Sequence, residues 1–149
     1  MVKKTLKYGI GVLVAAVIVA QFIRPERTNP PADPSASFDA VAKPPREVAA
    51  VIGRACRDCH SNQTVWPWYS RIAPVSWLVA RDVKEGRAKL NFSQWNYSPE
   101  MTGIKLREIC KEVKSGGMPP LYYIPIHPET KVTPAEVSAI CSAPGAQAR

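Results

Sequence analysis

The chain has 149 residues, 46% of them hydrophobic, which is one domain's worth of sequence. Its formal net charge is +8, yet the basic residues form no stripe and no nucleic-acid-binding motif, which excludes DNA and RNA as partners. A mild positive surface suits docking to an acidic redox partner protein or lying near anionic lipid headgroups.

Lys3, Lys4 and Lys7 precede an uncharged run from Tyr8 to Ile23, the layout of a basic n-region and a hydrophobic export segment. As a helix its 16 residues would reach about 24 Å, short for a bilayer core unless Lys7, Gln21 and Arg24 snorkel. Ile18-Val19-Ala20 is a poor small-x-small cleavage site because Ile18 is large. Residues 1–23 are therefore expected to be a retained single-pass membrane anchor. From Arg24 to Pro44 the chain is rich in proline and small polar residues, and this composition predicts an extended, stiff linker.

The domain proper is expected over residues 45–149. Val48, Val51, Ile52 and Ala55 recur at helical spacing, with Pro45 and Glu47 at the start, and predict a helix over 46–56. Directly after it comes Cys56-Arg57-Asp58-Cys59-His60. Two cysteines two residues apart followed at once by histidine is the pattern of c-type haem attachment. The thiols add to two vinyl groups, and the histidine coordinates the iron on its proximal side. A zinc half-site is the weaker reading, because Cys110, His127 and Cys141 offer no second close pair. A thioredoxin-type dithiol is weaker too, since no strand-helix-strand pattern surrounds the motif.

Proline and aromatic residues over Ser61–Arg71 predict an irregular loop. Pro74 opens a second helix that is expected to run to Glu85 and to be ended by Gly86. Leu90–Tyr97 shows no clear period and reads as loop. A third helix, capped by Ser98, carries Leu106, Ile109, Cys110 and Val113 on one face and stops at Ser115-Gly116-Gly117. Thr133-Pro134-Ala135-Glu136 is a capping box that opens a last helix burying Val137, Ile140 and Cys141.

The other iron face needs a ligand on a rigid loop. Gly116-Gly117-Met118-Pro119-Pro120 offers one, with glycines for a tight turn and prolines for a strut. An ordinary packing methionine is the bland alternative. His127 is the rival sixth ligand, and an open position is the third possibility. A histidine–methionine pair suits an electron carrier, whereas an open site suits an enzyme or sensor that handles peroxide or a diatomic gas. Cys110 and Cys141 are either buried thiols or a disulfide. Trp66, Trp68, Trp77 and Trp95 are expected to wall the cofactor or bond its propionates. Arg71, Arg81 and Arg87 are propionate candidates on charge alone.

Cys59-His60-Ser61-Asn62-Gln63-Thr64, Trp66-Pro67-Trp68-Tyr69-Ser70, Pro74-Val75-Ser76-Trp77, Asp82-Val83, Gly86-Arg87, Leu90-Asn91-Phe92-Ser93, Gly117-Met118-Pro119-Pro120 and His127-Pro128 together resemble the small exported haem-binding domain family, a c-type-cytochrome-like group. The resemblance covers almost the whole chain after residue 23 and implies a monohaem cytochrome fold and redox work. The short final helix departs from the broader cytochrome c pattern by lacking an aromatic residue to pack on the first helix. The combined expectation is an all-α, cytochrome c-like monohaem domain with one covalently attached haem c, behind a single N-terminal transmembrane helix. Because c-type haem is attached outside the cytoplasm, the anchor would place the domain at the inner membrane, facing the periplasm.

Overall fold

A computed structural model describes residues 2–146, with side chains from Thr5 onward. Met1, the side chains of Lys3 and Lys4, and residues 147–149 lie outside the described residues. Among the described residues there are seven α-helices and no strand: α1 (Val2–Ala20), α2 (Phe38–Val41), α3 (Arg46–Ala55), α4 (Arg57–His60), α5 (Val75–Lys89), α6 (Pro99–Ser115) and α7 (Pro134–Ser142). The all-α expectation therefore holds.

The expected membrane anchor does not. No helix among the described residues is long and apolar enough to cross a membrane. α1 stops at Ala20, so the uncharged run beyond Lys7 is helical only from Tyr8 to Ala20, about 20 Å at 1.5 Å per residue against a hydrocarbon core of roughly 30 Å. The Gln21 side chain, two residues before the end of that run, donates to the Ala73 carbonyl at 3.1 Å and accepts from the Ala73 amide at 3.0 Å. The chain turns onto the domain there. The single-pass anchor over residues 1–23, and the inner-membrane, periplasm-facing placement argued from it, are accordingly overturned.

The proline-rich stretch that follows lies along the domain surface. Arg27 donates to the Ser70 carbonyl and Asn29 to the Thr64 carbonyl, while Asn62 donates back to the Pro31 carbonyl. Prolines leave few amides to satisfy, so side chains of the linker and domain make most of the attachment. Farther on, Ser37 caps α2 and Phe38 is fully buried. Its ring packs edge-on to Phe92 and Trp95, at centroid distances of 5.3 and 4.6 Å. The Phe38 amide donates to the Phe92 carbonyl and the Trp95 amide to the Ala36 carbonyl. The stretch over 90–97, without helical or strand period, thus supplies two of the core's largest side chains.

The rest of the core comes from helix faces that their periodicity marked: Val48, Val51 and Ile52 of α3, Leu106, Ile109 and Val113 of α6, and Ile140 of α7. α7 pairs with both α3 and α6. The missing aromatic is replaced by Ile140 in the core and by an Arg54–Glu136 ion pair at 2.7 Å. Glu136 also completes the capping box with Thr133. Cys110 and Cys141 form a disulfide that joins α6 to α7 across a sequence separation of 31.

Gly86 does not end α5, which continues to Lys89. A Cβ built on Gly86 would lie 2.5 Å from the Cys59 carbonyl oxygen, so the residue is a point of close helix approach rather than a stop.

Two outcomes follow from this packing. Reducing the Cys110–Cys141 bridge, or replacing both residues by serine, should lower the unfolding free energy by roughly 3 to 4 kcal/mol, read from the denaturant midpoint. Gly86→Ala should cost about 1–3 kcal/mol by overpacking, whereas Gly53→Ala, where a Cβ meets nothing within 4 Å, should gain roughly 0.5–1 kcal/mol.

Candidate functional site

Cys56 is the break between α3 and α4, with φ −126° and ψ −35°. The next four residues wind into one turn, closed by the His60 amide on the Cys56 carbonyl at 2.9 Å. Three-residue spacing on that turn brings Cys56 and Cys59 to one side. Both thiols are free and half-buried. Burial pushes the Cys56 thiol up to about 12 and the Cys59 thiol up to about 11, so both stay protonated at neutral pH. Arg57 pairs with Asp39 of α2. Asp58 takes the Val65 amide on its carboxylate and the Thr64 hydroxyl on its backbone carbonyl. The turn is held on both flanks.

His60 Nδ1 lies 2.9 Å from the Gly86 carbonyl and 3.1 Å from the Leu90 carbonyl. Carbonyl oxygens only accept, so Nδ1 carries the proton and Nε2 presents its lone pair. Burial first of all lowers the imidazole's pKa and favours the neutral form. A neutral ring oriented by backbone carbonyls is the state in which histidine ligates a metal.

Cys56, Cys59 and His60 line one cavity of about 760 Å³ together with Met118. That volume falls within the ~300–1,000 Å³ of cofactor and small-molecule sites. Leu90, Phe92, Ile109, Val113, Pro119 and Pro120 give it apolar walls. Gly116 ends α6 in the left-handed conformation at φ 73°, a position that favours glycine, and the Gly117 and Met118 amides both bond the Glu112 carbonyl. The chain thereby turns sharply and Met118 reaches the cavity. The prolines after it lead to two tyrosines: Tyr122 donates to Asp82 of α5 at 2.8 Å and Tyr123 to Asp58 of the Cys56–His60 turn at 3.4 Å.

Other expected site residues lie elsewhere. His127 does not line the cavity. Its Nδ1–H donates to Glu129 at 3.1 Å and its Nε2 accepts from the Tyr69 hydroxyl, so neither ring nitrogen is open to iron. None of the four tryptophans lines the cavity. Trp66 and Trp77 instead bond Asn29 and the Ile23 carbonyl, and Trp95 is core. Arg87 spends its donors on Ser61, Thr28, Asn29 and Thr64. Arg71 is off the cavity, while Arg81 lines it beside Asp82 and Glu85. Lys89 and Lys111 line the cavity without an ion pair among the described residues, and sequence reading missed them. It read Gly86 as a helix end rather than a contact, and it missed Tyr122 and Tyr123. A glycine inside an otherwise helical pattern, and two tyrosines right after a Met-Pro-Pro, were the available signals. No group of three or more His, Cys, Asp or Glu among the described residues is placed to hold a metal ion, so the zinc reading lacks its second pair of ligands.

The tyrosine strap has a pH dependence. Burial, then the hydrogen bond to Asp82, raises the Tyr122 phenol from 10.0 to about 12. A phenol whose pKa is raised in the folded state adds stability that is fully present below pH ~10 and is lost as pH rises through the folded value. Tyrosinate absorbance should therefore show one phenol titrating near pH 12 that is absent from Tyr122→Phe.

The model of the haem-binding domain family matches residues 15–143. No curated protein and no solved structure matches the chain. A cavity bordered by two free thiols, an oriented neutral histidine and a methionine, with apolar walls and unpaired lysines at its edge, suits an apolar macrocycle with charged propionates, and the chain belongs to the haem-binding domain family.

Proposed function

We propose that the cavity takes one haem c, joined through thioethers to Cys56 and Cys59, with His60 Nε2 and Met118 Sδ as axial ligands, and that the chain carries single electrons between redox partner proteins. The observation that carries this reading is the convergence on one cavity of both thiols, His60 and Met118, three of them from a single turn and one from 58 residues farther along. When bound, haem supplies a one-electron iron couple whose potential follows its axial ligands.

The chain's residues do the rest. Each thiol, protonated and half-buried, can add its S–H across a vinyl group, with sulfur bonding one carbon and the proton going to the other. Gly86 and Leu90 hold His60 in the ligating tautomer. Met118 as the other ligand would favour the ferrous state and would leave no position for a substrate, which argues for transfer rather than catalysis. The apolar part of the lining, Leu90, Phe92, Ile109, Val113, Pro119 and Pro120, would limit the water that reaches the group.

Purified protein made with a cytochrome maturation system should keep its haem through acidified-acetone extraction and show a far-red charge-transfer band when oxidised. Met118→Ala should lose that band, bind carbon monoxide, and drop in potential on the order of 100 mV, a fraction of the ~0.8 V over which axial ligands move haem potentials. Haem that washes out in acetone would end the thioether assignment. Immediate carbon monoxide binding by the unaltered ferrous protein would instead favour a five-coordinate enzyme or sensor.

A further inference from the structure

We propose that α5 sets the spacing of both axial ligands, with Tyr122 as the positioning residue for Met118 through its hydrogen bond to Asp82. This rests on the reading of Met118 as a ligand.

Asp82 and Gly86 are four residues apart on α5 and share one face of the helix. The Gly86 carbonyl accepts from His60 Nδ1 at 2.9 Å, and the missing Cβ lets the helix approach the Cys59 carbonyl. One turn earlier, the Asp82 carboxylate accepts the Tyr122 hydroxyl at 2.8 Å. The same rigid turn thus grips the histidine on one side and the methionine loop on the other.

The loop itself has two fixed ends. At its start the Gly117 and Met118 amides are tied to Glu112 of α6, at 2.9 and 3.3 Å. At its far end the side-chain tie to α5 is the Tyr122 hydroxyl. Pro119 and Pro120 stiffen the intervening backbone, so a displacement at Tyr122 is passed to Met118 rather than absorbed. Tyr123 stacks on His127 at a centroid distance of 4.2 Å and reaches Asp58 only at 3.4 Å, which makes it the weaker tie. Tyr122 as a residue is 55% exposed, so removing its hydroxyl leaves no enclosed void.

The test is imidazole competition for the sixth position of the oxidised, haem-loaded full chain, followed by loss of the far-red band. Tyr122→Phe should keep its haem and bind imidazole about tenfold more tightly than the unaltered protein, the loss of roughly one hydrogen bond. Asp82→Ala should do the same. Because the two act through one bond, the double variant should also stand near tenfold rather than near a hundredfold. Tyr122→Phe that binds imidazole like the unaltered protein, or single effects that multiply in the double variant, would overturn the role of α5. Met118→Ala separates the two readings. If it binds imidazole no more tightly than the unaltered protein, the methionine assignment itself has failed. If it binds much more tightly while Tyr122→Phe is unchanged, only the positioning role has.

Discussion

The contact between α5 and the Cys56–His60 turn governs the site. Gly86 brings the helix backbone against the Cys59 carbonyl, where any larger residue would collide, and its own carbonyl then meets His60 Nδ1. This approach and the Leu90 carbonyl one turn on together fix the ring's tautomer and orientation. Arg57–Asp39 and the bonds to Asp58 hold that turn from other directions, but none of them touches the imidazole. The geometry of the histidine therefore depends on glycine's lack of a side chain, which lets the C-terminal end of α5 bring the Gly86 and Leu90 carbonyls to the ring.

Around this contact the chain builds two separate apolar regions. One is a packed core in which Phe38, Phe92 and Trp95 meet the inward faces of α3, α6 and α7. The other is the cavity, which shares Phe92, Ile109 and Val113 with that core and is lined as well by Met118, Pro119 and Pro120. Sharing residues couples them: α6 contributes to the core, lines the cavity, begins the Met118 loop and is bridged to α7 by Cys110–Cys141. A small domain has limited apolar surface to bury, and a covalent link between two of its helices limits how far the unfolded chain can expand.

The segment before α3 is part of this arrangement. Gln21 clasps Ala73 through both backbone atoms, Arg27 reaches Ser70, and Trp77 donates to the Ile23 carbonyl. Arg87, one residue beyond Gly86, fans its guanidinium over Thr28, Asn29, Ser61 and Thr64. It thereby ties the proline-rich stretch to the loop that follows the thiol-bearing turn. These are polar attachments between groups far apart in sequence, made mostly by side chains because prolines have no amide to offer.

How much of this was legible follows from the range of each interaction. The placing of Cys56, Cys59 and His60 together, the caps of α6 and α7, the apolar stripe of α3 and the all-helical class were readable, because each depends on spacing within a turn or two. The Gly116–Pro120 turn was readable as well, since glycine and proline constrain their own backbone wherever they sit. The end of α1 at Ala20, the docking of residues 21–31, the burial of Phe38 and the withdrawal of His127 to Tyr69 were not. Each is decided by a partner tens of residues away, to which hydropathy and periodicity are blind. Gly86 shows the boundary most clearly. Its sequence marks a place where the backbone is free to be unusual, and only the carbonyl of Cys59 lying against it turns that freedom into a close contact between helices instead of a helix end.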